Sequence, residues 1–184
     1  MPDVERMDFL RTAELVLEPL TVAHAEAMFP VLSEPELYRY LDYGPPPSVE
    51  HVRSVYAKLE RRKSPDGSEG WLNWIVYLGS RGPIGFVQAT VVSNRRCWVA
   101  YLLSSAHWGH GYAQAATAAM LEHLSGKYRA AEFLATVENA NARSISLLER
   151  LSFERATTHE AASHDLSSTE LLFKRGGTSS TSAL

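Results

Sequence analysis

The feature that most constrains this chain is the run Trp108-Gly109-His110-Gly111-Tyr112-Ala113, which joins a predicted strand at 97–103 to a predicted helix at 112–124. The first backbone N–H groups of a helix have no partner inside the helix, and they lie at the positive end of its dipole. A glycine in such a turn has no Cβ that would obstruct an approaching phosphate. We therefore expect this turn to hold a ligand that carries a pyrophosphate group.

Length and composition indicate one ordinary globular domain. We expect residues 1–175 of the 184 to form that domain, and residues 176–184, rich in glycine, serine and threonine, to form a flexible tail. The net charge of −3 at pH 7 argues against binding to nucleic acid or to an anionic membrane surface. No apolar run approaches the ~20 residues that cross a bilayer, and residues 1–11 do not resemble a signal peptide. The single cysteine, Cys97, allows no intrachain disulfide, and together these properties predict a cytoplasmic protein.

The hydrophobic pattern predicts a mixed α+β domain built on one sheet. Strands at 71–78, 84–92 and 97–103 follow one another through short loops, which is typical of an antiparallel meander. Thr21 and Ser48 are predicted to cap helices. The other predicted elements are helices at 22–28, 35–41, 49–62 and 141–151 and strands at 14–18, 133–137, 153–156 and 169–174.

A nucleotide-binding fold is the first alternative that the glycine-rich turn suggests. A dinucleotide fingerprint needs a third glycine where Gln114 stands, although Glu138 lies where its ribose-binding acid would be. The preceding strands form antiparallel hairpins, and half of a Rossmann fold contains none. The turn has no Gly-Lys-Ser or Gly-Lys-Thr ending, which excludes a P-loop.

The same run resembles the coenzyme A pyrophosphate loop of the GNAT (N-acetyltransferase) superfamily. Further resemblances follow in the family's order across residues 12–155: the opening strand Thr12-Ala13-Glu14-Leu15-Val16-Leu17-Glu18-Pro19-Leu20, the strand start Pro83-Ile84-Gly85-Phe86, and the helix Asn141-Ala142-Arg143-Ser144-Ile145 with its exit at Leu148-Glu149-Arg150-Leu151-Ser152-Phe153. The opening strand and the Asn-x-x-Ser helix are similar to the branch that includes acetyltransferases of ribosomal-protein N-termini.

The resemblance implies a mixed, mostly antiparallel sheet flanked by helices, with the strands at 98–103 and 133–137 splayed apart to form a cofactor groove. It implies acetyl-coenzyme A as the cosubstrate. The backbone of Leu102 and Leu103 would pair with the pantetheine arm, and the Leu103 N–H would polarise the thioester carbonyl. Asn141 would contact the pantetheine side, besides capping its helix. The pyrophosphate would be held by Gly109, His110, Gly111, Tyr112, Ala113 and Gln114.

The implied reaction is direct attack of an amine on the thioester, yet the usual catalytic side chains are missing. Trp98 stands where many members have a glutamate base, and Leu148 stands where many have a tyrosine acid. Ser144 is then the candidate proton donor to the departing thiolate, or an ordinary polar residue in the first turn of a helix. Glu138, or a base acting through water, could remove the amine proton. Cys97 is either an acyl-carrying nucleophile or a small core residue.

The acceptor remains open between a protein N-terminus, an amino sugar, a polyamine and an amino acid, and a homodimer is also left open. A non-catalytic acyl-coenzyme A sensor is the alternative function. His107 and His110 have no supporting acids or cysteines, so no metal site is predicted. The early helices and nearby strands are expected to form the acceptor pocket, with candidate lining residues Tyr38, Tyr40, Tyr43, Trp74, Trp98 and Tyr101.

Overall fold

A computed structural model describes residues 6–177 and shows one eight-stranded sheet in the order β1-β2-β3-β4-β5-β6-β8-β7. Within these residues every neighbouring pair of strands is antiparallel except β5 and β6, so a Rossmann arrangement is excluded. The strands are β1 Leu10–Arg11, β2 Leu15–Pro19, β3 Gly70–Leu78, β4 Pro83–Val92, β5 Arg96–Leu103, β6 Glu132–Glu138, β7 Glu154–Arg155 and β8 Glu170–Gly176.

The α-helices are α1 Ala25–Leu32, α2 Val49–Leu59, α3 Tyr112–Lys127, α4 Ala142–Arg150 and α5 Thr158–Ala161. Ser48 caps α2 as predicted, because its Oγ accepts a hydrogen bond from the His51 N–H at 3.2 Å. This helix ends at Leu59, whereas the prediction extended it to residue 62. Arg62 has a positive φ of 59°, which is incompatible with a right-handed α-helix. Pro35–Tyr38 forms a 3₁₀ turn in place of the predicted helix at 35–41.

Two apolar clusters hold the layers together. α3 and α4 pack on one face of the sheet, where Phe133 and Met120 are fully buried. α1 and α2 pack on the other face, where Met28 and Ile75 are buried. The interior strand β3, which lies between β2 and β4, is buried on both faces, which explains its nearly continuous apolar sequence.

The carboxyl end of the described chain belongs to the sheet. Gly176 is the last residue of β8 and pairs with Glu132, and the Gly177 N–H donates to the Ala131 carbonyl at 2.8 Å. The predicted tail at 176–184 therefore begins inside a strand, and its residues 178–184 lie outside the described residues. Within residues 6–177, no helix has the length and apolar character needed to span a membrane.

Candidate functional site

The glycine-rich turn places two left-handed residues in front of α3. Gly109 has a φ of 80° and Gly111 a φ of 81°, and Gly111 is the N-cap of the helix. A Cβ on either glycine would meet no protein atom within 4 Å. Glycine is needed here for the backbone conformation, and the space above the turn is open to a ligand.

The same turn presents a row of unused donors. The first hydrogen bond of α3 runs from the Ala115 N–H to the Gly111 carbonyl at 2.9 Å. Within the part of the chain that the structure describes, none of the six backbone N–H groups from Gly109 to Gln114 donates a hydrogen bond. Unsatisfied donors at the positive end of a sixteen-residue helix favour an anion, and the binding of a pyrophosphate at this turn stays a prediction.

Neighbouring side chains fix the turn and add positive charge. The Trp108 indole N–H donates to the Leu103 carbonyl at 2.8 Å, which ties the turn to the end of β5. The His110 and Tyr112 rings stack with their centroids 5.6 Å apart. The Arg143 guanidinium lies 3.7 Å from the centre of the Trp108 ring, so α4 brings a cation to the turn. Sequence reasoning missed this role of Arg143, although the residue lies inside the Asn-x-x-Ser motif.

The sheet opens beside the turn. β5 and β6 pair only at their amino ends, where Trp98 and Leu134 form the last pair. Beyond that pair, β5 continues along β4 to Leu103, and β6 continues along β8 to Glu138. The two strands therefore leave a gap with unpaired peptide groups on both sides, and an extended ligand could pair there as an added strand.

The register decides which peptide groups of β5 face this gap. The Ser104 N–H donates to the Ile84 carbonyl at 2.8 Å, so even-numbered residues of β5 turn their peptide groups towards β4. Odd-numbered residues turn theirs to the gap, which places the N–H groups of Tyr101 and Leu103 there. By the same alternation the Leu102 peptide groups face Phe86 of β4, so the register favours Tyr101 and Leu103 over Leu102 for the expected pairing with a ligand. The Leu103 carbonyl is already bonded to Trp108, so its N–H remains for a ligand.

Two hydroxyl groups meet between β5 and α4. The Tyr101 Oη and the Ser144 Oγ are 2.7 Å apart, and Tyr101 also donates to the Ser144 carbonyl at 3.2 Å. Burial raises the pKa of Tyr101 to about 12, so the phenol keeps its proton at neutral pH. Asn141 caps α4 by accepting a hydrogen bond from the Ser144 N–H at 3.2 Å on its Oδ1. Its capping role is thus observed, and a ligand contact stays a prediction.

Side chains without acid–base chemistry occupy the two positions where a glutamate base and a tyrosine acid were expected. Trp98 packs edge-on against His164, with ring centroids 5.2 Å apart, and His164 comes from the loop that follows α5. Leu148 is buried in the core. The Glu138 carboxylate accepts a hydrogen bond from the Thr169 hydroxyl at 3.1 Å. Cys97 is fully buried, and burial raises its pKa to about 12, so it is a core residue and no nucleophile.

A cavity of about 240 Å³ lies between α1, α2 and the sheet. Of the residues expected to line an acceptor pocket, Tyr38 and Tyr43 line this cavity, whereas Tyr40, Trp98 and Tyr101 do not, and its role as that pocket stays a prediction. Trp74 is fully buried on the opposite face of the sheet, where its indole N–H donates to the Asp8 carbonyl. The lining residues are Leu20, Leu32, Tyr38, Tyr43, Gly44, Pro46, His51, Val52, Val55, Tyr56, Leu59, Asn73, Phe86, Gln88 and Leu102. Among residues 6–177 there is no group of three or more histidine, cysteine or acidic side chains that could hold a metal ion.

Comparison with known proteins agrees with this geometry. A family model described as an acetyltransferase (GNAT) domain matches residues 14–154. The uncharacterized N-acetyltransferase p20 of Bacillus licheniformis is 27% identical over 151 residues, which is 81% of this chain and 84% of the relative.

Solved structures share the fold. A GNAT-family acetyltransferase from Bacillus anthracis superposes with a TM-score of 0.74 at 16% identity, over 92% of this chain and 99% of the other. RimL, described as a ribosomal alpha-N-protein acetyltransferase in complex with coenzyme A, superposes with a TM-score of 0.74 at 15% identity, over 92% and 98% of the two chains. The chain therefore belongs to the GNAT family and is an acetyl-coenzyme A-dependent N-acetyltransferase.

Proposed function

We propose that this enzyme acetylates an α-amino group, such as that of a protein N-terminus or an amino-acid derivative, by direct attack on the thioester. The observation that carries the proposal is the gap between β5 and β6, which ends at a turn with six unused N–H donors. The likeness to RimL, described as acting on a ribosomal protein α-amine, supports this class of acceptor.

The cosubstrate fits the groups that the chain presents. The diphosphate would lie on the amides of Gly109 to Gln114, where the dipole of α3 and the Arg143 guanidinium favour negative charge. The pantetheine arm would run along the open edge of β5, within reach of the N–H groups of Tyr101 and Leu103. One of these N–H groups would polarise the thioester carbonyl, as an oxyanion hole does.

Proton transfer follows from the remaining groups. As the amine nitrogen bonds to the acetyl carbon and the C–S bond breaks, the sulfur needs a proton. The Ser144 hydroxyl, hydrogen-bonded to the Tyr101 hydroxyl at 2.7 Å, is placed to supply that proton. Tyr101 replaces the Ser144 proton through the same bond, and solvent water returns a proton to Tyr101. The proton of the attacking nitrogen passes to solvent water.

The missing carboxylate at Trp98 favours an acceptor that is already partly neutral. At pH 7 an α-amino group of pKa near ~7.8 is neutral in about one molecule in seven, and a lysine side chain near ~10.4 in about one in two thousand five hundred. A site without a strong base should therefore favour the α-amine by roughly 350-fold.

The test is a thiol-release assay with acetyl-coenzyme A and two matched peptides of the same sequence. One peptide has a free α-amine and a blocked lysine, and the other has an acetylated α-amine and a free lysine. We expect the first to react faster by about two orders of magnitude at pH 7, with the gap narrowing towards pH 9. A faster reaction of the lysine peptide would refute the proposal, and binding of acetyl-coenzyme A without any thiol release would favour the sensor alternative.

A further inference from the structure

The cavity between α1, α2 and the sheet lies next to the gap. Its wall includes the Leu102 side chain of β5, and the peptide groups of Tyr101 and Leu103 on either side of Leu102 face the gap. A group that projects from this cavity past Leu102 therefore reaches the edge of β5 where the thioester is proposed to lie. This cavity thus has the position of an acceptor site.

The wall of the cavity is apolar and carries no formal charge. Aliphatic and aromatic side chains such as Leu32, Val52 and Phe86 form most of it. The lining includes no aspartate, glutamate, lysine or arginine, and His51 is its only imidazole. A polyamine or an amino sugar carries several cationic groups, and a site for one needs carboxylates that this wall lacks.

One buried hydroxyl in the wall has no partner among residues 6–177, and a second polar side chain lines the same wall. Tyr56 is 5% exposed, and within the described residues its hydroxyl makes no hydrogen bond. Asn73 is also 5% exposed, and no hydrogen bond of its side-chain amide is found there either. A buried hydroxyl such as that of Tyr56 is nearly always satisfied in native proteins, because an unpaired one carries the full penalty of its desolvation. Both residues line the cavity, so a bound molecule can satisfy them.

We propose that the acceptor presents one apolar or aromatic residue to this cavity, with a carbonyl or amide that bonds to Asn73 and Tyr56 and an α-amine directed past Leu102. This inference rests on the proposed function and narrows the acceptor to the α-amine of a residue with an apolar side chain. The cavity volume of about 240 Å³ is smaller than the roughly 300–1,000 Å³ of pockets for drug-sized ligands, which agrees with a single amino-acid residue as its occupant.

The first experiment compares single amino-acid amides as acceptors in the thiol-release assay. Phenylalaninamide, leucinamide, glycinamide and the α-amide of glutamic acid each carry one α-amine, and each is assayed at a pH that keeps its neutral fraction equal. We expect kcat/KM for phenylalaninamide and leucinamide to exceed that for the other two by at least about tenfold, mainly through KM. Spermidine and kanamycin serve as cationic comparisons and should react more slowly than either apolar amide.

The second experiment uses variants that separate ligand contact from folding. Tyr56→Phe removes only the unpartnered hydroxyl, so the melting temperature should not fall while KM for phenylalaninamide rises about fivefold, as for one lost hydrogen bond. Thr117→Val is the matched control, because Thr117 on α3 also has a buried, unpartnered hydroxyl but packs on the opposite face of the sheet. Its KM values should stay unchanged. Val55→Asp places a charge at the exposed rim of the cavity and should raise KM for the apolar amides alone.

The outcomes distinguish a failure of the apolar-acceptor inference from a failure of the proposed function. Equal kcat/KM across the amides, a preference for the acidic amide or for spermidine, or an unchanged KM in both cavity variants overturns the inference and leaves the proposed function standing. Binding of acetyl-coenzyme A with no thiol release from any of these amines or from the peptide with a free α-amine overturns the proposed function as well.

Discussion

Replacing Gly111 by glutamate should separate the proposed anion-binding role of the turn from its contribution to folding. The φ of 81° at Gly111 costs a non-glycine residue about 1–2 kcal/mol, and the added Cβ meets no protein atom within 4 Å. A carboxylate at a helix N-terminus returns about 0.3–1 kcal/mol. At 2–4 °C per kcal/mol for a domain of this size, the melting temperature of the free protein should fall by roughly 0–7 °C.

The effect on ligand binding should be much larger. Acetyl-coenzyme A at about one hundred times its Kd stabilises a folded protein by ~2.7 kcal/mol, which here corresponds to a rise of about 5–11 °C. Two negative charges about 4 Å apart at a protein surface repel by ~4 kcal/mol at an effective dielectric constant of 20. The repulsion between the new carboxylate and the diphosphate exceeds the stabilisation, so the shift should disappear.

The matched control is Gly67→Glu, assayed by thermal denaturation with and without acetyl-coenzyme A. Gly67 also has a positive φ, 73°, and open space around its Cβ position, but it lies in the exposed loop before β3. This variant should lose similar or slightly more intrinsic stability and keep the full ligand-induced shift. A full shift in Gly111→Glu, or a lost shift in Gly67→Glu, would refute the assignment of the turn.

Three further predictions concern catalysis, the cysteine and acid stability. Tyr101→Phe and Ser144→Ala should each lower kcat roughly tenfold or more, with little change in KM for acetyl-coenzyme A. The double variant should be no slower than the slower single variant, because the two hydroxyls act as one hydrogen-bonded unit. If the two losses in kcat multiplied, the hydroxyls would act independently and the reasoning would be refuted. Cys97 should resist iodoacetamide in the folded protein, as measured by intact mass, and Cys97→Ala should still release thiol, because the buried thiol has a pKa of about 12. The hydrogen bond from Lys127 holds the pKa of Asp8 below its ordinary value near ~3.9. The stability that this bond adds is therefore present above that pH and is lost as the pH falls through the folded-state pKa. The difference in free energy of unfolding between the wild type and Lys127→Met, measured by urea denaturation, should shrink from pH 5 to pH 2.

Much of the fold could be predicted because its signals are local. The meander of β3, β4 and β5 follows from apolar strands joined by short turns, and the caps at Ser48 and Asn141 follow from side chains next to the helices they begin. Sequence reasoning missed β1 and α5, which have two and four residues. Such short segments lack the length for a detectable hydrophobic period, and their neighbours in the fold decide their conformation.

One part of the candidate site could likewise be predicted from the sequence, and the other part required the tertiary structure. The glycine-rich turn could be found from the chain alone, because a left-handed N-cap and unpaired helix amides involve only consecutive residues. Deciding which way the Leu102 peptide groups face required the register, since a change of one residue exchanges the peptide groups that face β4 with those that face the gap. No local pattern joins Tyr101 to Ser144, Trp108 to Arg143, or Trp98 to His164, and each of these pairs exists because α4 or the loop after α5 packs beside β5.

The amino-acid sequence by itself determined the glycine-rich turn before α3, the order of the main strands and helices, and the family, because these depend on residue types at short, regular spacings. The tertiary structure alone decided which N–H groups of β5 face the gap, that Tyr101 meets Ser144, and that Tyr56 and Asn73 share one apolar cavity. The physical reason is that hydrogen-bond register and the burial of a polar group depend on atoms brought together from distant parts of the chain, and only the packed sheet and helices bring them together.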